Sequence, residues 1–314
     1  MPASHDTPAH TGRRAASTAG DDLADRSGPA PRTTIVIATR NRAEELLRTL
    51  REQRTAFPRT PVVVVDNGSD ADLRLLVEPE FPDVEVVRSP RNLGAVARNL
   101  GVLRARTPYI AFSDDDSWWE PGALAEAERV LDDHPAVALV AGRTLVGADG
   151  APDPVTDLMR DSALPRTHPM PGPPVLGFTA CAAVVRRRAF AEAGGFSRLL
   201  FFVAEEKLLS YDLAAKGWDL CYVSSVVAHH HPSPHRPPSD WRRTLELRNN
   251  ALIAWMRRPV RVALGEAREL AAAARHDRVA RRALLAAVRR LPSALLRRRR
   301  LPARVEDMIR LLEG

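Results

Sequence analysis

The sequence predicts an α/β fold: a mostly parallel sheet flanked by helices, with a helical C-terminal appendage. Three observations predict it. Short runs of β-branched, apolar residues recur along the first two thirds of the chain. Helix-like segments separate them. After about Ser239 the strand-like runs stop, and text rich in Ala, Leu and Arg takes over. Strands that alternate with helices build a parallel sheet with helices on both faces.

Residues 33–39 (TTIVIAT) are apolar on both sides, as a central parallel strand requires. A helix is predicted over 43–53. The next strand, 61–66, runs into Asn67-Gly68, a turn signal. Strand 84–88 and helix 95–106 follow. Strand 108–113 ends in acid, and helix 121–133 has a proline near its start. Further strands are predicted over 137–141, 182–186 and 220–227, with an amphipathic helix over 207–216 that stops at Gly217. The C-terminal helices are broken by Pro259, Pro292 and Pro302. Residues 1–32 hold almost no large apolar side chain and are predicted to be a disordered tail. The expected organisation is therefore a tail over 1–32, an α/β domain over 33–238 and an Arg-rich helical region over 239–314.

Composition narrows the function classes. The 314 residues carry 46 Lys+Arg against 39 Asp+Glu, a net charge of +7, and the excess gathers between Arg257 and Arg310. Such a balance fits nucleic acid, an anionic membrane or phosphate-bearing substrates. No helix-turn-helix, zinc finger or aromatic-studded basic sheet is visible, so nucleic acid is not expected. The two cysteines, Cys181 and Cys221, form no CxxC, which excludes a cysteine zinc site and a disulfide framework. They read as reduced core residues of a cytosolic protein. No signal peptide is expected, and no stretch reaches the roughly 18–20 apolar residues of a membrane span. The expectation is a cytoplasmic protein, at most peripheral to the inner face of the membrane.

Ligands of open α/β sheets bind beyond the carboxyl ends of the strands. Three polar clusters fall there: Thr39-Arg-Asn-Arg42, Asp66-Asn-Gly-Ser69 and Asp114-Asp-Asp116. Adjacent carboxylates repel unless a cation lies among them. If the chain stays extended, Asp114 and Asp116 project alike and can share Mg²⁺ or Mn²⁺. A helix-capping loop is the competing reading. Asp66 can accept a hydrogen bond from a base or ribose, although an ordinary turn explains this tetrapeptide by itself. Gly94 lets a helix N-terminus approach an anion, and Arg98 offers a fork for phosphate. Paired carboxylates such as Glu205-Glu206 raise one pKa, which suits a general base. Acids in a helix's first turn are the blander account. His229, His230, His231 and His235 cluster after an apolar strand, and one of them can complete a metal shell.

In order along the chain, these pieces resemble the family 2 glycosyltransferases, whose catalytic domain has the GT-A fold, Rossmann-like in its sheet. The resemblance runs from about Thr33 to His231 and is closest to rhamnosyltransferase-like members. It rests on Ile37-Ala-Thr39-Arg-Asn41-Arg42, Val65-Asp66-Asn67-Gly68-Ser69, Asn92-Leu-Gly94 through Ala97-Arg98-Asn99-Leu-Gly101, and Phe112-Ser-Asp114-Asp115-Asp116 with Pro121-Gly-Ala-Leu124. Gly194-Gly195-Phe196, Glu205-Glu206, Gly217-Trp218 and His229-His230 continue it.

The resemblance implies metal-dependent, inverting transfer of a sugar from a nucleoside-diphosphate sugar to a glycan, lipid-linked or small-molecule acceptor. It implies that Asp66, Thr39 and Arg42 hold the nucleoside. Asp116 ligates the Mg or Mn ion, with Asp114 nearer the ribose or the ion's waters and His229 as a further ligand. Glu206 becomes the catalytic base, with Glu205 the second choice. Leu208 and Asp212 stand where the family often carries Asp and Arg, so the ion pairing around the acids must differ. The alternative is a nucleotide- or nucleic-acid-binding protein without transferase activity. A dinucleotide-dependent dehydrogenase is disfavoured, because the first strand runs into Thr39-Arg-Asn-Arg42 and no GxGxxG follows.

Overall fold

The structure, a computed structural model, describes residues 30–234 and 238–314. The tail expected over 1–32 lies outside them apart from residues 30–32, and so does His235.

The described residues build a sheet in the order β3-β2-β1-β4-β8-β6-β9-β5, with β7 on β6. The strands are β1 (Thr33–Thr39), β2 (Val62–Asp66), β3 (Glu85–Arg88), β4 (Tyr109–Asp114), β5 (Ser117–Trp119), β6 (Val137–Val146), β7 (Ala151–Pro152), β8 (Ala183–Arg186) and β9 (Asp219–His230). Helices α1 (Ala43–Ala56), α2 (Arg74–Val77), α3 (Ala97–Arg104) and α4 (Ala123–Asp133) fall between the early strands. A 3₁₀ turn, Gly94–Val96, leads into α3. Next come α5 (Pro154–Arg160), α6 (Arg187–Ala193) and α7 (Glu205–Ala215). The chain ends in α8 (Ser239–Arg257), α9 (Val260–Ala273), α10 (Arg278–Leu296) and α11 (Ala303–Glu313).

Strands β3, β2, β1 and β4 are parallel, as their apolar text predicts. β8 is an antiparallel insertion between β4 and β6, while β6 and β9 pair in parallel. Alternation along β1 divides the core. Ile35 and Ile37 face Leu46 and Leu50 of α1 and Leu124 and Leu131 of α4. Val36 belongs to the opposite layer, with Phe112, Phe190 and Phe196. That second layer also takes Leu252, Ile253 and Met256 of α8, Ala294 of α10, and Val305 and Ile309 of α11. The C-terminal helices therefore share the sheet's core.

β1 leads to β2 on one side and its other neighbour, β4, leads away on the opposite side, so a crevice opens beyond the carboxyl ends of β1 and β4. Packing there is close. A Cβ on Gly101 of α3 would lie 2.4 Å from Val36 Cγ1, so only glycine lets this helix settle on the sheet. Both cysteines are buried and free.

Candidate active site

Three carboxyl strand ends meet at the crevice: Thr39, Asp66 and Asp114. Asp66 is fully buried and accepts the Ser69 amide at 2.8 Å through Oδ1. Its Oδ2 is buried without a hydrogen bond and lies 3.6 Å from Arg88 Nε. Asn67 staples the neighbouring loop, donating to Asn92 Oδ1 and the Gly94 carbonyl, each at 3.1 Å.

The acidic run does not stay extended. β4 ends at Asp114, Asp115 and Asp116 form a turn, and β5 folds back to pair with β9. The three carboxylates therefore meet different partners. Asp115 accepts from Thr39 Oγ1 at 2.8 Å and from Arg42 Nη1 at 3.1 Å, and burial pushes it up to about 7 against the pull of Arg42. Thr39 and Arg42, expected to serve the nucleoside, thus also hold the turn. Asp116 accepts the Ser233 amide at 2.9 Å, lies 3.4 Å from His230 Nε2 and 3.6 Å from Arg42 Nη1. Burial pushes its carboxyl up, but His230, the Ser233 amide and Arg42 outweigh that and hold it below the usual range. Asp114 pairs with Arg98 of α3.

His229 and His230 are adjacent in β9 and point apart. His230 reaches Asp116, whereas His229 stacks near Trp118 and lies 3.6 Å from Glu120. The structure thus brings His230, rather than His229, to the acidic turn. The strand register carries the signal: Ser117 pairs with His230 and Trp118 with His229. It could be read only once β5 was known. Asp116 and His230 offer a carboxylate oxygen and an imidazole nitrogen, donors that suit Mn²⁺. Among the described residues no group of three or more His, Cys, Asp or Glu side chains is arranged to hold an ion.

Arg98 is the junction of the site. It is buried, sits over the Phe196 ring at 5.9 Å, and Asp114 with the nearby Glu205 and Glu206 raises its pKa despite burial. Glu205 and Glu206 open α7, where the helix dipole favours carboxylates. Glu205 is buried, and its Oε2 has no hydrogen-bond partner. Burial pushes its carboxyl up to about 8, Glu206 adding to the rise and Arg98 opposing it. Glu206 is half-buried and also raised, by burial first.

The segment before the acid pair is strained. Phe201, Val203 and Ala204 have φ of 69°, 68° and 63°, a region that non-glycine residues rarely occupy. Surrounding groups hold it there. Asn249 of α8, fully buried, donates to the carbonyls of Leu200, Phe202 and Val203 at 3.1, 2.8 and 2.6 Å. The buried Arg248 also donates to Leu200. From the other side the Ala95 amide donates to Phe201 O at 2.7 Å. A Cβ on Gly94, at φ 62°, would lie 2.0 Å from that oxygen. Gly94 therefore admits a carbonyl of this chain. Arg248 and Asn249 escape sequence reading because they sit within an ordinary amphipathic helix. Asp212 finds its partner there too, in Arg257 of α8. Leu208 is core.

The glycosyl transferase family 2 model matches residues 34–194, just over half of the chain. The chain belongs to that family. Among curated relatives of this family 2 member, a pre-mycofactocin glycosyltransferase of Mycobacterium tuberculosis is 31% identical over 226 residues. That alignment covers 68% of this chain and 46% of the relative, so the chain spans about half the relative's length. An N-acetylglucosaminyl-diphospho-decaprenol L-rhamnosyltransferase of the same species is 25% identical, covering 54% of this chain and 66% of that one. Solved structures place the fold in the GT-A class. A Pyrobaculum calidifontis mannosyltransferase, in complex with GDP-Man and Mn²⁺, superposes with a TM-score of 0.56 at 20% identity, over 91% of this chain and 85% of that one. S. aureus TarS 1-349 with UDP-GlcNAc gives 0.56 at 15% identity, over 88% and 83%.

Proposed function

We propose that this glycosyltransferase moves a sugar from a nucleoside-diphosphate sugar to an acceptor hydroxyl, with inversion at the anomeric carbon and dependence on a divalent metal. The observation that carries the reading is Arg98, which pairs with Asp114 at the strand end and lies within electrostatic reach of Glu205 and Glu206. One cation thus stands between the place for a donor and the place for a base. The structural neighbours bound to GDP-Man and UDP-GlcNAc support the donor class.

In this reading Asp66 holds the nucleoside through Oδ2, which faces Arg88 but accepts no hydrogen bond within the chain, and Thr39 and Arg42 fix the turn beside it. Asp116 and His230 would hold Mg²⁺ or Mn²⁺, which supplies positive charge against the departing diphosphate. Asp116 is suited to this because its neighbours keep it ionised. Arg98 adds a fixed positive charge where negative charge grows. Glu206, the more accessible of the two acids, takes the proton of the attacking hydroxyl. Glu205 stays neutral below its raised pKa and so leaves its neighbour the role of proton acceptor. The acceptor is a glycan, a lipid-linked glycan or a small molecule. The proposed setting is cytoplasmic.

Glu206→Gln tests the assignment. It should bind the donor nucleotide as the parent does and lose about 10²–10⁴ in turnover, the usual range for a general base. Unchanged transfer would remove Glu206 from the role.

A further inference from the structure

No helix among the described residues is long and apolar enough to cross a membrane. One helix nevertheless presents an apolar face to solvent. Along α10, Leu285, Val288, Pro292 and Leu296 fall at helical spacing on the outer side, and Leu285, Val288 and Leu296 are 55%, 57% and 87% exposed. The opposite side, with Ala280, Ala283, Ala287 and Ala294, is buried in the fold. Arginines border the exposed stripe. Among the described residues none of Arg282, Arg289, Arg299 and Arg300 has an acidic partner, and no acidic residue occurs between Arg278 and Val305.

We infer that this face of α10, with the arginines that follow it, docks on an anionic lipid surface. Three properties of the face choose that occupant. Unneutralised arginines beside the stripe and just beyond its end require an anionic partner. A second copy of the same face would bring arginine against arginine, so self-association is disfavoured. Nucleic acid would meet the charge but leave leucines against water, and the face carries no aromatic ring on which a base could stack. A bilayer surface takes both halves: the leucines enter the boundary of the acyl chains, and the arginines remain among the headgroups. This surface deepens the proposed function by placing the enzyme beside lipid-borne acceptors, although docking and transfer are separable.

Flotation of the full chain with vesicles of phosphatidylglycerol or phosphatidylcholine tests it without measuring turnover. The parent should float with phosphatidylglycerol at low salt, fail to float with phosphatidylcholine, and lose most binding at about 1 M salt, where the Debye length is about 3 Å. Replacing Arg289, Arg299 and Arg300 by Gln should weaken binding by about fivefold per arginine, on the order of 100-fold together. Leu285→Ser with Leu296→Ser should also weaken binding, through a separate, salt-insensitive part. These side chains are exposed, so the variants' melting temperatures should match the parent's. No binding to phosphatidylglycerol, or equal binding by both variants and the parent, overturns the inference. Concentration-dependent dimerisation abolished by the leucine variant, seen in sedimentation, would overturn it in favour of a second copy.

Discussion

Arg98 pairs with Asp114 and offsets the charge of the nearby Glu205 and Glu206, and its removal is the sharpest change a single residue allows. Arg98→Met would leave Asp114 and the acid pair facing one another without compensation. The raised pKa of Glu206 should then rise further, and the acidic limb of the rate profile should move to higher pH as turnover falls. A pH–rate series compared with the parent checks this, and an unmoved limb counts against it. Glu205 yields a stability prediction with a definite sign. Its folded-state pKa is raised, so the stability it contributes is whole below the ordinary value of 4.5 and is lost as pH climbs to about 8. Glu205→Gln cannot ionise and escapes that loss. Calorimetry should show the variant gaining on the parent in melting temperature between pH 5 and pH 8.5, across that same window. A constant difference would show that Glu205 is not buried neutral. That the acids, Arg98, Thr39, Arg42 and Asp66 end strands or open helices was legible in the sequence. Which partner each one meets was not. The extended geometry expected for Asp114 and Asp116 depended on the chain running on, and the chain turns.

At the scale of elements, that turn has a cause. Ser117-Trp-Trp119 is too short to show alternation, and it becomes a strand only because β9 offers it an edge. The parallel strands were legible for the opposite reason, since valine and isoleucine on both faces leave few other options. The other element that matters to the site is the strained segment before α7. It is clamped by Asn249 and by the close approach of Gly94. Asn249→Ala removes the two N–H donors that serve the three loop carbonyls, worth about 1 kcal/mol per bond. It should lower turnover more than donor affinity, because it frees the loop bearing the acids and leaves the nucleoside pocket alone. Kinetic constants for donor and turnover separate those effects, and a pure loss of donor affinity would contradict the clamp. Nothing in the periodicity of 241–256 distinguishes Asn249 from an exposed polar residue, because its three acceptors lie in a loop distant in sequence.

For the whole molecule, the sequence pattern separated an α/β part from a helical remainder at the change in composition. It could not show that the remainder fills the sheet's core. Leu252, Met256, Val305 and Ile309 pack in the same layer as Phe112. Arg258 fastens the end of the chain, bonding Glu306 at 2.8 Å and Glu313 at 2.7 Å while itself buried. Breaking one partner of a buried pair costs about 3–5 kcal/mol. Arg258→Ala should therefore lower the melting temperature and impair the acid loop that α8 supports. A variant with normal stability would mean that the C-terminal helices hang free of the fold. The same coupling predicts that the chain cut after residue 238 loses transfer along with stability.

The account turns on the acidic turn beside His230 receiving a nucleoside diphosphate together with a divalent ion. The direct measurement is calorimetric titration of UDP and GDP into the chain with Mn²⁺ and with chelator, repeated on Asp116→Ala. Binding by the parent that requires Mn²⁺, and its loss in the variant, is the predicted result. Equal nucleotide affinity with and without the ion, or in parent and variant alike, would contradict it.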